Sequence, residues 1–146
     1  AMRRVFFDAN VLIAGAASHR GASRAVLMMA EAGLFRMVVS RQVLDEAERN
    51  LRRKLPRGLL ILAEMLGHIH LEVVDDPSPH SFTRWLDCIE AKDAPIVEAA
   101  VNANIDYLLT LNSHDFTPGV AARSGLTILA PAQFVERIRE IVTEGL

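Results

Sequence analysis

Four acidic side chains, Asp8, Glu46, Asp93 and Asp115, stand where a carboxylate can do chemistry. Asp8 follows the apolar run Val5-Phe6-Phe7 and precedes Asn10 and a second run, Val11-Leu12-Ile13, before Gly15 lets the chain turn. That spacing puts the carboxylate at the carboxyl end of a first buried strand, where open α/β sheets bind their ligands. An ionised Asp so near a core is costly unless a cation or hydrogen-bond donors face it. Glu46 lies in a helix opened by Ser40. At roughly 100° per residue, Val43, Ala47 and Leu51 form the buried stripe of that helix, while Glu46, Arg49 and Arg53 share another face. Taken alone, Glu46 is accounted for by a weak surface ion pair with Arg49 or Arg53. Asp93, before Ala94-Pro95, reads as an N-cap, and Asp115 ends a stretch of good turn residues from Asn112 onward.

Together the four are harder to explain as packing. Asp8 and Asp115 each follow a strand, and Asp93 opens a helix beside the same edge of the sheet, so chain-distant carboxylates converge. Their mutual repulsion raises one another's pKa values unless a divalent cation neutralises them. Oxygen-only ligands select hard ions, which points to Mg²⁺ or Mn²⁺ held by a few carboxylates and waters. Such an ion can activate a water for attack on a phosphodiester and stabilise the charge that builds on the phosphate oxygens.

The elements that must position these acids follow from the hydrophobic periodicity. A strand at about 3 to 8 precedes a helix from Ala22 to Ala32, stopped by Gly33, and Phe35 to Val39 forms a second strand. Ser40 caps a helix to about Lys54, Pro56 opens another to about Leu66 with Gly67 as its stop, and Leu71 to Val74 is a third strand. Pro77 to Pro79 breaks the chain before helices at Phe82 to Ile89 and Ala94 to Ala103. Strands at Tyr107 to Leu111 and Leu126 to Leu129 and a closing helix at Pro131 to Val142 complete the pattern. Strands separated by helical crossovers imply a three-layer α/β/α sandwich around a mostly parallel sheet of about five strands. The expected organisation is a single domain over residues 1–146.

Composition narrows the function classes. Hydrophobic residues make up 51% of the 146, which suits a buried α/β core and leaves room for an apolar homodimer interface. No apolar stretch approaches the roughly 18 residues of a membrane span, and the amino terminus lacks a signal-peptide pattern, so a soluble, cytoplasmic protein is expected. Ala1 ahead of Met2 reads as a remnant of cloning. The net charge of -2 argues against a protein that coats nucleic acid, yet Arg41, Arg49, Arg52, Arg53, Lys54 and Arg57 can form a basic rim around an acidic pocket. Cys88 is alone, and His68 and His70 lack a third soft ligand, so disulfide and zinc chemistry are set aside. No Gly-rich phosphate loop appears.

The residues around the four acids resemble the motifs of the PIN-domain family. Phe7-Asp8-Ala9-Asn10-Val11-Leu12-Ile13 is similar to its first acidic motif, Ser40 with Val43-Leu44-Asp45-Glu46 to the helix carrying its second, and Lys92-Asp93-Ala94-Pro95-Ile96-Val97 to its third. Tyr107-Leu108-Leu109-Thr110-Leu111-Asn112-Ser113-His114-Asp115-Phe116 is similar to its closing motif, and the four occur in order over about positions 3 to 130. The resemblance implies a Mg²⁺- or Mn²⁺-dependent endoribonuclease, often the toxin of a toxin–antitoxin pair and commonly a dimer. By the same likeness Asp8, Glu46 and Asp93 ligate metal or position water. Many members carry an Asp where this chain has Asn112, so Asp115 is expected to restore the acid, with Asn112 as a neutral ligand or phosphate contact. Asn10, Ser40, Arg41, Arg49 and Arg53 are candidate contacts to RNA. Two rivals remain: a phosphate-accepting regulatory module using Asp8, which would need a second acid where Ala9 stands, and a binding-only protein of the same fold.

Overall fold

The computed structural model describes residues 2–145; Ala1 and Leu146 lie outside the described residues. Five strands, β1 (Arg4–Phe7), β2 (Arg36–Ser40), β3 (Leu71–Val74), β4 (Tyr107–Leu109) and β5 (Ile128–Leu129), form one parallel sheet in the order β3-β2-β1-β4-β5. The chain thus runs outward from β1 through β2 to β3, then returns to the other side of β1 for β4. The crevice between β1 and β4 is the point where strand order reverses, and in open parallel sheets ligands bind there, beyond the carboxyl ends of the strands.

Helices α1 (Ala9–Ala17), α2 (Ala22–Glu31), α3 (Arg41–Lys54) and α4 (Pro56–Gly67) contact one another, and α2 also meets the closing helix α8 (Pro131–Gly145). A second group, α5 (Pro79–Phe82), a 3-10 turn over Thr83–Trp85 and α6 (Ala94–Asn102), packs near β2, and α7 (Pro118–Ser124) leads into β5. The sandwich is three-layered, α/β/α. Its core runs through β1, β2 and β4, where Val5, Phe6, Phe7, Met37, Val38, Val39, Leu108 and Leu109 are fully buried. Phe134 seats α8 on this core, edge-on to Phe35 at 5.2 Å and to Tyr107 at 5.5 Å. Among the described residues no helix is long and apolar enough to cross a membrane.

Three departures from the sequence reading have physical causes. The run after Asp8 is not a short apolar stretch ending in a turn but helix α1, and its Ala9, Val11, Leu12, Gly15 and Ala16 are all buried. A helix apolar on most sides shows no amphipathic stripe, so its period is hidden. Gly15 is there for close approach: a Cβ on it would lie 2.4 Å from Leu27 Cδ1 and 3.1 Å from the Ser23 carbonyl oxygen, where α1 meets α2. The second departure is Phe82 to Ile89, which holds only the end of α5, the 3-10 turn and irregular turns. Glu98 of α6 captures this segment, accepting from Trp85 Nε1 and Arg84 Nε at 2.8 Å each, so side-chain bonds replace a helical ladder. Third, α7 was not anticipated, although Thr117 caps it, Pro118 opens it and Gly125 closes it at φ 78°.

Gly67 is the last residue of α4, so the helix does stop there, though without a positive φ, and nothing stands within 4 Å of a Cβ placed there. Opposite outcomes are therefore expected at two helical glycines. At Gly67, alanine should raise stability by about 0.5–1 kcal/mol through helix propensity alone. At Gly15 the same gain is outweighed by overpacking of about 1–3 kcal/mol, so Gly15→Ala should lower the melting temperature. Thermal denaturation of both variants checks this, and a stabilised Gly15→Ala would refute the close packing of α1 on α2.

Candidate active site

Asp8 is reached by following β1 one residue past its last register pair, Phe7 with Leu109, which brings it beside Thr110. Its backbone N–H still donates to the Leu109 carbonyl at 2.9 Å. The carboxylate is 6% exposed and caps α1: Oδ1 accepts from the Ala9 N–H at 2.8 Å, while Oδ2 accepts from the Thr110 hydroxyl at 2.7 Å and Asn10 Nδ2 at 3.2 Å. Burial pushes the Asp8 carboxyl above its ordinary pKa, the Thr110 and Ala9 bonds oppose the rise, and the charge of Glu46 adds to it. Thr110 was not singled out from the sequence. Its hydroxyl donates to Asp8 and accepts from the Asn112 N–H at 3.0 Å and Asn10 Nδ2 at 3.3 Å, which uses its whole hydrogen-bonding capacity. The signal for it was the strand register, which sequence alone did not provide.

Asp93 occupies the N-cap position of α6 but does not cap it: its backbone is in the right-handed helical region and its side chain makes no capping bond. Its Oδ2 is buried without a hydrogen-bond partner among the described residues. The Lys92 ammonium lies 3.4 Å from that oxygen, within ion-pair range though without hydrogen-bond geometry. Burial raises the Asp93 carboxyl pKa; Lys92 opposes the rise, and the charges of Asp8 and Asp115 add to it. Asp115 is held differently. Asn112 Nδ2 donates to its Oδ2 at 2.8 Å and Asn112 Oδ1 accepts from its N–H at 3.2 Å, and this bond is the main reason its carboxyl sits below the usual range. Lys92 Nζ also reaches Asp115 Oδ2 at 3.4 Å, so one ammonium spans both carboxylates, and its pKa is raised chiefly by the charge of Asp93.

The structure therefore brings Asp8, Asp93 and Asp115 into one electrostatic neighbourhood at the β1–β4 crevice. Glu46, exposed on α3, is near enough for its charge to act on Asp8. It forms no ion pair with Arg49 or Arg53 among the described residues. The acids do not stand as a closed ligand shell, because among the described residues no group of three or more His, Cys, Asp or Glu is placed to hold a metal ion. The donor set nonetheless fits a hard cation: it is all oxygen, and the buried Oδ2 of Asp93 is left without a hydrogen bond.

The structure gives the residues expected to contact RNA different surroundings. Ser40 is fully buried and its hydroxyl accepts from the Val43 N–H at 3.3 Å, so it caps α3 and offers nothing to a nucleic acid. Asn10 turns its amide inward, donating to Asp8 and Thr110 and accepting from the Leu111 N–H at 3.0 Å. Asn112 spends its amide on Asp115. Arg41, Arg49 and Arg53 are exposed along α3, which remains a basic surface.

Comparison with known proteins agrees with this fold. A family model described as PIN domain matches residues 4–114, which takes in all of Asp8, Glu46 and Asp93 and stops one residue before Asp115. Among solved structures, VapBC2 from Rickettsia felis bound to a promoter DNA fragment is similar at 16% identity and a TM-score of 0.64, covering 87% of this chain and 98% of that one. PAE2754 from Pyrobaculum aerophilum is similar at 16% identity and a TM-score of 0.65, covering 94% and 90%. DNA-bound VapBC from Salmonella typhimurium follows at 21% identity and a TM-score of 0.60, covering 89% and 99%. No curated protein sequence gives a significant match.

The raised Asp93 carboxyl makes a prediction with a definite sign. A group whose folded pKa exceeds its unfolded value stabilises below the unfolded pKa and loses that contribution as pH rises through the folded one. Asp93→Asn removes the titration, so in EDTA its melting temperature should exceed that of the wild type by a margin that grows from about pH 4 toward neutrality. A margin of a few degrees corresponds to about 1 kcal/mol in a chain of this size. A margin that is flat or shrinks with rising pH would contradict the assignment.

Proposed function

The chain belongs to the PIN-domain family, and from that premise we propose that it is a metal-dependent endoribonuclease acting as the toxin of a toxin–antitoxin pair. The observation that carries this reading is the Asp93 carboxylate: a residue at a helix start that forgoes the cap and keeps an oxygen buried without a hydrogen bond beside two other acids. Leaving a buried carboxylate oxygen without a hydrogen bond costs stability, and a fold retains such a cost where a ligand offsets it. Asp8, Asp93 and Asp115 would hold Mg²⁺ or Mn²⁺, with Glu46 at the rim as a fourth ligand or a water-positioning group. When bound, the ion supplies water activation and charge neutralisation at the phosphate.

The chain's own residues do the rest. Thr110, Ala9 and Asn10 fix both oxygens of Asp8, so that carboxylate needs no reorganisation when the site fills. Asn112 fixes Asp115 and keeps it ionised. Glu46, exposed and without an arginine partner, is free to turn into the pocket. Arg41, Arg49 and Arg53 on the same helix would receive the RNA backbone, which a chain of net charge -2 needs as a local basic surface. The VapBC neighbours support a protein antitoxin as partner. Met28 and Leu60, 58% and 73% exposed on the contacting helices α2 and α4, support a homodimer.

A binding-only role of the same fold is the second reading. A phosphoryl-accepting role for Asp8 is disfavoured, because Ala9 stands where such a site would need a second acid. Cleavage of single-stranded RNA by the purified protein should require Mn²⁺ or Mg²⁺ and stop in EDTA. Asp8→Asn should reduce the rate by about a hundredfold or more, the scale of losing one preorganised electrostatic group. Cleavage that survives both EDTA and Asp8→Asn rejects the reading; carboxylate-dependent RNA binding with no cleavage in any metal selects the binding-only alternative. Replacing Arg49 and Arg53 with Gln should lessen the salt dependence of RNA affinity by about 0.7 in log–log slope per lost phosphate contact, and an unchanged slope removes them from the interface.

A further inference from the structure

Among the described residues, Lys92 is the one cation in an ion pair with Asp93 or Asp115. Its backbone is tied down, with the Lys92 carbonyl accepting from Gln42 Nε2 at 3.3 Å at the start of α3. Its side chain is 64% exposed and ends in an ammonium 3.4 Å from both Asp93 Oδ2 and Asp115 Oδ2. These are two of the oxygens assigned above to a divalent ion, and an ammonium and a metal cannot share the space between them. We propose that Lys92 is a tethered counter-cation that occupies the gap between Asp93 and Asp115 in the metal-free protein and must swing out for a divalent ion to enter. The inference rests on the metal reading of the site and adds to it a residue that sets how tightly the ion is held.

The physical argument is competition. Without a cation, the charges of Asp8 and Asp115 act unfavourably on the Asp93 carboxylate, and Lys92 opposes that effect. An exposed ammonium at 3.4 Å gains little from each pair, because solvent screens it and the long side chain loses rotamer freedom. It is strong enough to lower the occupancy of a divalent ion and weak enough to be displaced by one. Once displaced, the flexible stem leaves the ammonium at the mouth of the same crevice, where a phosphate has to arrive. Arginine is a poorer choice for such a plug, since its planar fork would lock bidentately onto one carboxylate.

The test is calorimetric titration of the full chain with Mn²⁺ alone, at neutral pH, for the wild type, Lys92→Gln, Lys92→Arg and Asp8→Asn. Lys92→Gln should bind Mn²⁺ about three- to tenfold more tightly, the fold-change expected from removing one or two screened ion pairs. Lys92→Arg keeps the charge and should bind no more tightly than the wild type. In EDTA, Lys92→Gln should melt no higher than the wild type, and saturating Mn²⁺ should raise its melting temperature by more. Equal Mn²⁺ affinity in wild type and Lys92→Gln, weaker binding by Lys92→Gln, or equal tightening in Lys92→Arg overturns the role of Lys92 and leaves the metal site standing. No Mn²⁺ uptake by the wild type or Lys92→Gln, or uptake unchanged in Asp8→Asn, overturns the metal reading itself and this inference with it.

Discussion

A hydrogen bond of 2.7 Å from the Thr110 hydroxyl to the Asp8 carboxylate joins β1 to β4 at the point where their backbone pairing ends. The register of the sheet makes this bond, because the residues after Phe7 and Leu109 must be neighbours. Where the ladder stops, side chains continue it: Asn10 links Asp8 and Thr110 and takes the Leu111 N–H, and Thr110 takes the Asn112 N–H. A carboxylate in an apolar setting must replace its lost hydration with donors. Here an amide N–H, a hydroxyl and a side-chain amide do so, and an acid can stand at 6% exposure on the edge of a core of Phe6, Phe7 and Leu109. Without that closure the crevice would have neither a fixed acid nor a defined shape.

The other acids are tuned by different means, and the differences follow from what backs them. Burial dominates at Asp8 and Asp93 and raises both carboxyl pKa values. At Asp115 the Asn112 amide dominates and lowers it. The segment before Asp93 is in turn held by Glu98 of α6. Burial pushes the Glu98 carboxyl up, but bonds from Trp85, Arg84 and Asn102 outweigh it, so Glu98 stays ionised and ties the segment before Asp93 to the helix after it. The Trp85 ring also lies under the guanidinium groups of Arg84 and Arg123, at 4.4 Å and 5.0 Å from its centroid. A fully hydrogen-bonded buried acid and an under-bonded one thus lie on neighbouring turns. The first stabilises the fold, and the second is the price of the pocket.

Much of this was legible before the structure. The strand–helix alternation fixed the fold class, since parallel strands need crossovers, and it placed Asp8, Asp93 and Asp115 at one edge of the sheet. Ser40 as the cap of α3 and the stripe of Val43, Ala47 and Leu51 were readable from local chemistry and agree with the structure. What could not be read depends on contacts between distant residues. Helix α1 is buried on most sides and so lacks a period, and the bonding of Thr110 requires knowing that Asp8 lies across from it. Asp93 looked like a cap because Asp before Ala-Pro usually is one, and only the backbone shows that it is not. Glu98 and Lys92 carry no local signal, because a Glu in a helix and a Lys beside an Asp are ordinary until the residues they touch are known.

Glu46 is the acid that the fold specifies least, and that fits the metal chemistry proposed for it. It rides on the exposed face of α3, while the buried face of that helix is set by Val43, Leu44, Ala47 and Leu51. The helix is anchored at its start by Ser40 and by Asp76, which accepts from the Gln42 N–H at 2.9 Å. So the backbone beneath Glu46 is fixed and its side chain is not. A hard ion such as Mg²⁺ does not favour an all-protein cage; it keeps waters and shares its positions with substrate phosphates. On the proposed reading, acids at the ends of β1 and β4 and the start of α6, with an exposed one on α3 beside a row of arginines, suit that requirement better than four fixed carboxylates would. A closed cage would shut out the phosphate, whereas a rim acid can yield a coordination position to it.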